Sequence, residues 1–127
     1  MIEVLPLKNN EEIKAFFEEN AIEYNQFAGV TVARFGEEQL GFCAYYLDKE
    51  KITVIKIEPQ NDLMLLDGIL RSALHIADFR NIEKAYYTDE QYTSVFKKLD
   101  FVKNEAEKSL KIEKLHESCC HCEKNDN

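Results

Sequence analysis

Residues 51–80 read KITVIKIEPQNDLMLLDGILRSALHIADFR, and a change of rhythm inside this stretch decides the fold. Up to Ile57 the apolar residues alternate, with Ile52, then Val54 or Ile55, then Ile57. That is the two-residue period of a strand with one buried face. Pro59 ends the run, because it has no N–H to donate to a sheet ladder. From Asp62 to about Arg80 the period becomes helical, with Ile69, Leu70, Ala73, Leu74 and Ala77 on one face. Ile82 to Thr88 then reads as a strand again. Strand, long helix and strand in this order predict a parallel pair joined by a right-handed crossover.

Upstream, Phe27–Phe35, Leu40–Leu47 and Lys51–Ile57 form three strand-like runs separated by the turns Gly36-Glu37-Glu38 and Asp48-Lys49-Glu50. They predict an antiparallel meander. Before them, Ile2 to Leu7 reads as a strand ending near Pro6. A helix follows to about Asn20, with Asn9 and Glu12 at capping-box spacing and Ile13, Phe16 and Phe17 inside. Downstream, Asp89–Leu99 predicts a helix with Tyr92, Val95, Phe96 and Leu99 on its inner side. Phe101-Val102 opens a strand, Glu105-Ala106-Glu107 is a hairpin turn, and Leu110, Ile112 and Leu115 alternate in the last strand. The predicted order is βαβββαβαββ. It describes an α+β, or mixed α/β, fold with a central, mostly antiparallel mixed sheet flanked by helices.

The chain has 127 residues, long enough for one domain with a real core. Residues 1–116 are expected to form that domain, and residues 117–127 a Cys/His-rich tail. A hydrophobic content of 45% argues against disorder. The net charge of −8 argues against nucleic acid or an anionic membrane surface as partner, since both select basic patches. No apolar run reaches the ~20 residues of a membrane span. Met1-Ile2-Glu3-Val4 lacks the layout of a signal peptide, so a cytoplasmic location is expected. Residues 97–114 carry six lysines against four acids, a local +2 that leaves −10 elsewhere.

Two segments resemble the GNAT acyl-CoA N-acyltransferases. Ile57-Glu58-Pro59, followed by a loop and a long helix, is similar to the V-x-P, glycine-rich loop and cofactor helix of that family. Val95-Phe96-Lys97-Lys98-Leu99-Asp100-Phe101 is similar to the family's F-Y-x-K-x-G-F segment. The resemblance implies a GNAT-like fold, acetyl-CoA as acyl donor and a small-molecule or peptide amine as acceptor. It also implies that the Ile57 backbone meets the pantetheine arm, and that the loop and helix around Leu65, Leu66, Asp67 and Gly68, together with Asp89, face the cofactor. Glu58 stands where a general base is expected; its plain reading is a solvated strand-end charge.

The departures from the family pattern are specific. The loop motif R/Q-x-x-G-x-G/A is replaced by Gln60-Asn61-Asp62-Leu63-Met64-Leu65-Leu66-Asp67-Gly68, whose single glycine falls inside the helix. Glycines there let backbone N–H groups approach a diphosphate. Asp62 and Asp67 would repel one, and Leu63, Leu65 and Leu66 read equally as filling the cleft. Phe96 occupies the position of the family's acidic tyrosine, and Asp100 that of its glycine. Tyr92 lies one helical turn before Phe96 and can bring a hydroxyl nearby, as a general acid or as packing. Between the first helix and the meander, residues 21–26 leave room for about one helical turn. The acceptor pocket is therefore expected to be open, or completed by another chain in a homodimer.

His116-Glu117-Ser118-Cys119-Cys120-His121-Cys122 gathers two imidazoles and three thiols in seven residues. Such ligands suit Zn²⁺ or another soft metal, with His116, Cys119, Cys120, His121 and Cys122 as candidates. Adjacent Cys119 and Cys120 do not converge readily on one tetrahedral ion. The plain alternative is a terminal segment with incidental metal affinity.

Overall fold

The computed structural model describes residues 1–116. In chain order the elements are β1 (Ile2–Pro6), α1 (Asn10–Glu19), β2 (Ala28–Phe35), β3 (Glu38–Leu47), β4 (Lys51–Glu58), α2 (Leu63–Phe79) and β5 (Lys84–Tyr87). A 3₁₀ turn (Glu90–Tyr92), α3 (Thr93–Lys98), β6 (Val102–Asn104) and β7 (Ser109–Leu110) follow. The strands form one seven-stranded sheet in the order β1-β2-β3-β4-β5-β7-β6. All pairs are antiparallel except β4–β5, which is parallel with α2 as its crossover. The α+β fold and the parallel pair read from residues 51–80 are therefore what the molecule has.

Alternation along β2, β3 and β4 sorts their side chains onto two faces. On one face Ala33, Cys43, Tyr45, Ile52, Val54 and Ile57 pack under α2, which buries Leu66, Ile69, Leu70 and Leu74 completely. Each of those aliphatic side chains contributes roughly 1.5–3 kcal/mol by leaving water. Tyr92, Phe96 and Phe101 extend the same core. On the opposite face Val30, Val32, Phe42 and Ala44 receive Ile13 and Phe17 of α1. The flanking helices thus lie on both faces. Among the described residues no helix is long and apolar enough to cross a membrane.

Helices α1, α2 and α3 stop in the same way. Ala21, Asn81 and Asp100 follow the last helical turns with φ of 57°, 63° and 62°. Each of these residues donates its N–H to a carbonyl of the last turn: Glu18, Asp78 and Lys97. The next residue reaches further back: Ile22 to Phe17, Ile82 to Ala77 and Phe101 to Phe96. These are Schellman closures, and the two apolar residues of each lie in one core cluster. Glycine usually holds the left-handed position, but the chain has only four glycines and none stands there.

Three expectations shift. The helix expected over Asp89–Leu99 is a 3₁₀ turn followed by a six-residue helix, because the Asp89 side chain caps the turn at Gln91. β5 is shorter than Ile82–Thr88, since Ile82 closes α2. The last strand is only two residues long. Ile112 is buried in a turn and Leu115 half-buried in the helical residues that follow, where Lys114 donates to Lys111 and Leu115 to Ile112. Apolar spacings of two and three fit a strand and a turn alike.

Candidate functional site

β4 pairs with β5 only from Lys51 to Val54, yet with β3 it pairs as far as Glu58. Ala44 of β3 faces Lys56 and Tyr45 faces Val54, so Ile55 is an extra residue bulged out of the ladder. Such a bulge bends its strand and raises the local twist. Beyond Val54 the two parallel strands part and leave a notch. Thr88 N–H donates to the Val54 carbonyl at 3.2 Å at its inner end. Further out, Ile57 N–H donates to Tyr92 Oη, also at 3.2 Å.

Tyr92 is held there by its own segment. It ends the 3₁₀ turn that Asp89 caps, is 2% exposed, and stacks on Phe96 with centroids 5.7 Å apart. Phe96 is fully buried and meets Tyr87 edge-on, while the Tyr87 hydroxyl bonds Thr93 Oγ1 at 2.7 Å. The Tyr92 hydroxyl thus reaches the notch beside the Phe96 ring. It accepts from Ile57 through a lone pair, which leaves its own proton for another acceptor. Burial pushes the Tyr92 phenol above its usual range. The Ile57 N–H opposes that shift, and Asp89, Glu58 and Cys43 add to it. The group is therefore a protonated donor at neutral pH.

Glu58 ends β4 and is exposed. With Pro59, Gln60 and Asn61 on one side and Gln39 to Phe42 on the other, it lines a cleft of about 490 Å³. Gly41 makes the cleft floor tight, because a Cβ there would collide with the Glu58 carbonyl, Pro59 and Ile69. Gln60 Nε2 donates to Gln91 Oε1 at 3.1 Å and ties the loop to the 3₁₀ turn. No lysine or arginine lines this cleft.

The start of α2 has a different character. Asp62 is its N-cap, and its Oδ1 accepts from Leu65 N–H at 3.1 Å. A carboxylate of the chain itself thus occupies the electropositive end of the helix. Leu66 is fully buried and Leu65 packs half-buried on the same core. Asp67 pairs with Arg71 at 2.9 Å, and Gly68 lies within the helix with open space where a Cβ would project. Asp89 gives one oxygen to Gln91 N–H at 2.9 Å and the other to Gln91 Nε2 at 2.7 Å.

The structure brings Ile57, Glu58 and Tyr92 together at the end of β4 and sets Leu65, Leu66, Asp67 and Gly68 along α2. The lysines of the late segment neutralise each other's neighbours: Lys97 pairs with Glu105, and Lys111 and Lys114 with Asp100. His116 Nε2 lies 2.8 Å from Asp78 Oδ1. Cys119, Cys120, His121 and Cys122 lie outside the described residues, and among the described residues no His/Cys/Asp/Glu group is arranged to hold a metal ion. Gly41 and the Gln60–Gln91 bridge were not singled out by sequence. The signal for Gly41 was there, since a glycine inside a strand marks close backbone approach.

No protein-family model matches the chain, and no curated protein matches it in sequence. Solved structures do match in shape. The chain is similar to an IAA acetyltransferase from Bacillus cereus, with a TM-score of 0.59 and 16% identity over 78% of this chain and 75% of that one. It is similar to a mutant AtaT toxin bound to the C-terminus of the antitoxin AtaR, with a TM-score of 0.59 and 11% identity over 91% and 95%. A GNAT-family acetyltransferase from Streptococcus pneumoniae matches with a TM-score of 0.52 and 12% identity over 80% and 87%. The fold of this chain is that of the GNAT acetyltransferases.

Proposed function

We propose that the protein is a divergent N-acyltransferase that takes its acyl group from a thioester, with acetyl-CoA as the reference donor, and passes it to an amine of a small molecule or peptide. The observation that carries this reading is the 3.2 Å contact between Ile57 N–H and Tyr92 Oη in the β4–β5 notch. A bound thioester supplies an activated carbonyl. On donor binding the acyl oxygen takes over the Ile57 N–H from Tyr92 Oη, and the freed hydroxyl holds a proton for the departing sulfur. In this reading Glu58, which lines the adjoining cleft, takes a proton from the entering amine. The absence of cations around that cleft favours an amine over an anionic acceptor. At the acyl end the donor exchanges one neutral hydrogen bond for another; at the diphosphate end it meets the Asp62 carboxylate.

The test is free-thiol release from acetyl-CoA over a panel of amines, with calorimetric titration of the same donor. Turnover that falls in the Tyr92→Phe protein supports the reading. Absence of both binding and turnover at millimolar donor overturns it. A second reading, a non-catalytic GNAT-fold module that binds a ligand or partner, is favoured by the Asp62 cap on α2. Saturable donor binding with no turnover would select it.

A further inference from the structure

The wall of the site that would meet the nucleotide half of a coenzyme is built against a polyanion. From Glu58 to Gly68 the chain carries three carboxylates, Glu58, Asp62 and Asp67, and no lysine or arginine. The first cation beyond is Arg71, and its guanidinium is bonded to Asp67 at 2.9 Å. The free N–H groups of a helix start are its natural anion donors. Here Leu65 N–H is given to Asp62 Oδ1 at 3.1 Å, so the chain's own carboxylate stands at the helix start. Where close approach needs glycine, the chain has Leu63 and Met64, which are 39% and 88% exposed. At the other end of the same site Ile57 N–H and Tyr92 Oη are bonded to each other at 3.2 Å, a neutral bond that an acyl oxygen and a thiol sulfur can take over between them. The acyl end of a donor has groups to exchange with; the diphosphate has none.

We infer that the acyl donor of this site is a pantetheine-type thioester that presents no diphosphate to the start of α2. The inference rests on the acyltransferase reading above and narrows its donor. Recognition of the thiol arm ends before the start of α2, where Leu63 and Met64 are exposed. The nucleotide of acetyl-CoA then adds contacts to Asp62 that are repulsive, so it contributes no affinity.

The experiment is a truncation series measured by calorimetry on the full chain: acetyl-CoA, S-acetyl-4′-phosphopantetheine and S-acetylpantetheine. S-acetylpantetheine is expected to bind as tightly as acetyl-CoA or more tightly. In the Asp62→Asn protein the cap survives, since Asn caps as well as Asp, while the charge is gone. Acetyl-CoA should then bind about two- to fivefold tighter, the usual effect of one charge at a helix start, with S-acetylpantetheine unchanged. Circular dichroism confirms that the helix is kept. If acetyl-CoA binds wild-type protein tenfold or more tightly than S-acetylpantetheine, the inference fails while the acyltransferase reading stands. If no member of the series binds at millimolar concentration, both fail.

Discussion

Tyr92 concentrates what one residue can do in this molecule. Its hydroxyl is the partner of the Ile57 N–H at the mouth of the notch, and its ring is part of the core. Tyr92→Phe keeps the ring and removes the partner. A buried N–H left unpaired costs about 1–3 kcal/mol, which a urea titration will register. The same change should lower turnover by about 10²-fold or more, the usual worth of a general acid. The two readouts separate, because the stability loss alone leaves the folded fraction intact. The pH dependence has a definite sign. Tyr92 and Tyr45 both have phenols raised by burial. The unfolded chain therefore releases these protons first. The stability they provide is complete below the ordinary tyrosine pKa near 10 and declines as pH rises above it. The alkaline decline in melting temperature should be shallower for Tyr92→Phe. Tyr92 was legible in the sequence because it stands four residues before Phe96. Its bond to Ile57 was not, because it depends on a bulge at Ile55 that no local pattern announces.

At the scale of elements, the helix endings carry the clearest consequence. Ala21 holds a left-handed conformation that a β-carbon disfavours. Ala21→Gly should stabilise the fold by about 0.5–1 kcal/mol, the conformational gain less the added freedom of the unfolded chain. Gly68 presents the reverse case. It lies inside α2 with nothing within reach of a Cβ. Gly68→Ala should stabilise by about 0.5–1 kcal/mol in thermal melts and leave donor binding unchanged. A loss of binding in that variant would show that the glycine serves the donor after all. Long elements with a steady rhythm were readable: α2 and the β2–β4 meander stand within a residue or two of their expected limits. The short ones were not. In α3 a capping side chain divided the segment, and in β7 the same apolar spacing served turns.

For the whole molecule, the layout explains why fold and function separate in legibility. Topology depends on many residues and survives divergence, so the βαβββαβαββ order could be read although no family model matches. The glycines and the tyrosine of the motifs the sequence resembles are few, and those are the positions that differ here. The described core closes with Ile112, buried, and Leu115, half-buried against it. A chain ending at His116 should melt within about 2 °C of the full one, a difference of under ~0.5 kcal/mol for a domain of this size. Metal analysis of the untruncated protein, prepared without an affinity tag, tests the tail separately. Stoichiometric zinc that vanishes on truncation would support the Cys/His reading.

β7 joins β6 to the sheet through only two residues, Ser109 and Leu110, while Phe101 beside them is buried and covered by Arg71 and Lys114. In deuterated water this should divide the backbone into two populations. Amides of β6 and β7 should exchange through brief local openings that leave the Phe101 anchor seated. Those at the centre of β2, β3 and β4 should wait for the whole chain to open. A denaturant series of exchange rates would then resolve the outer hairpin as a separate, softer unit, able to yield at the margin of the sheet without disturbing the notch.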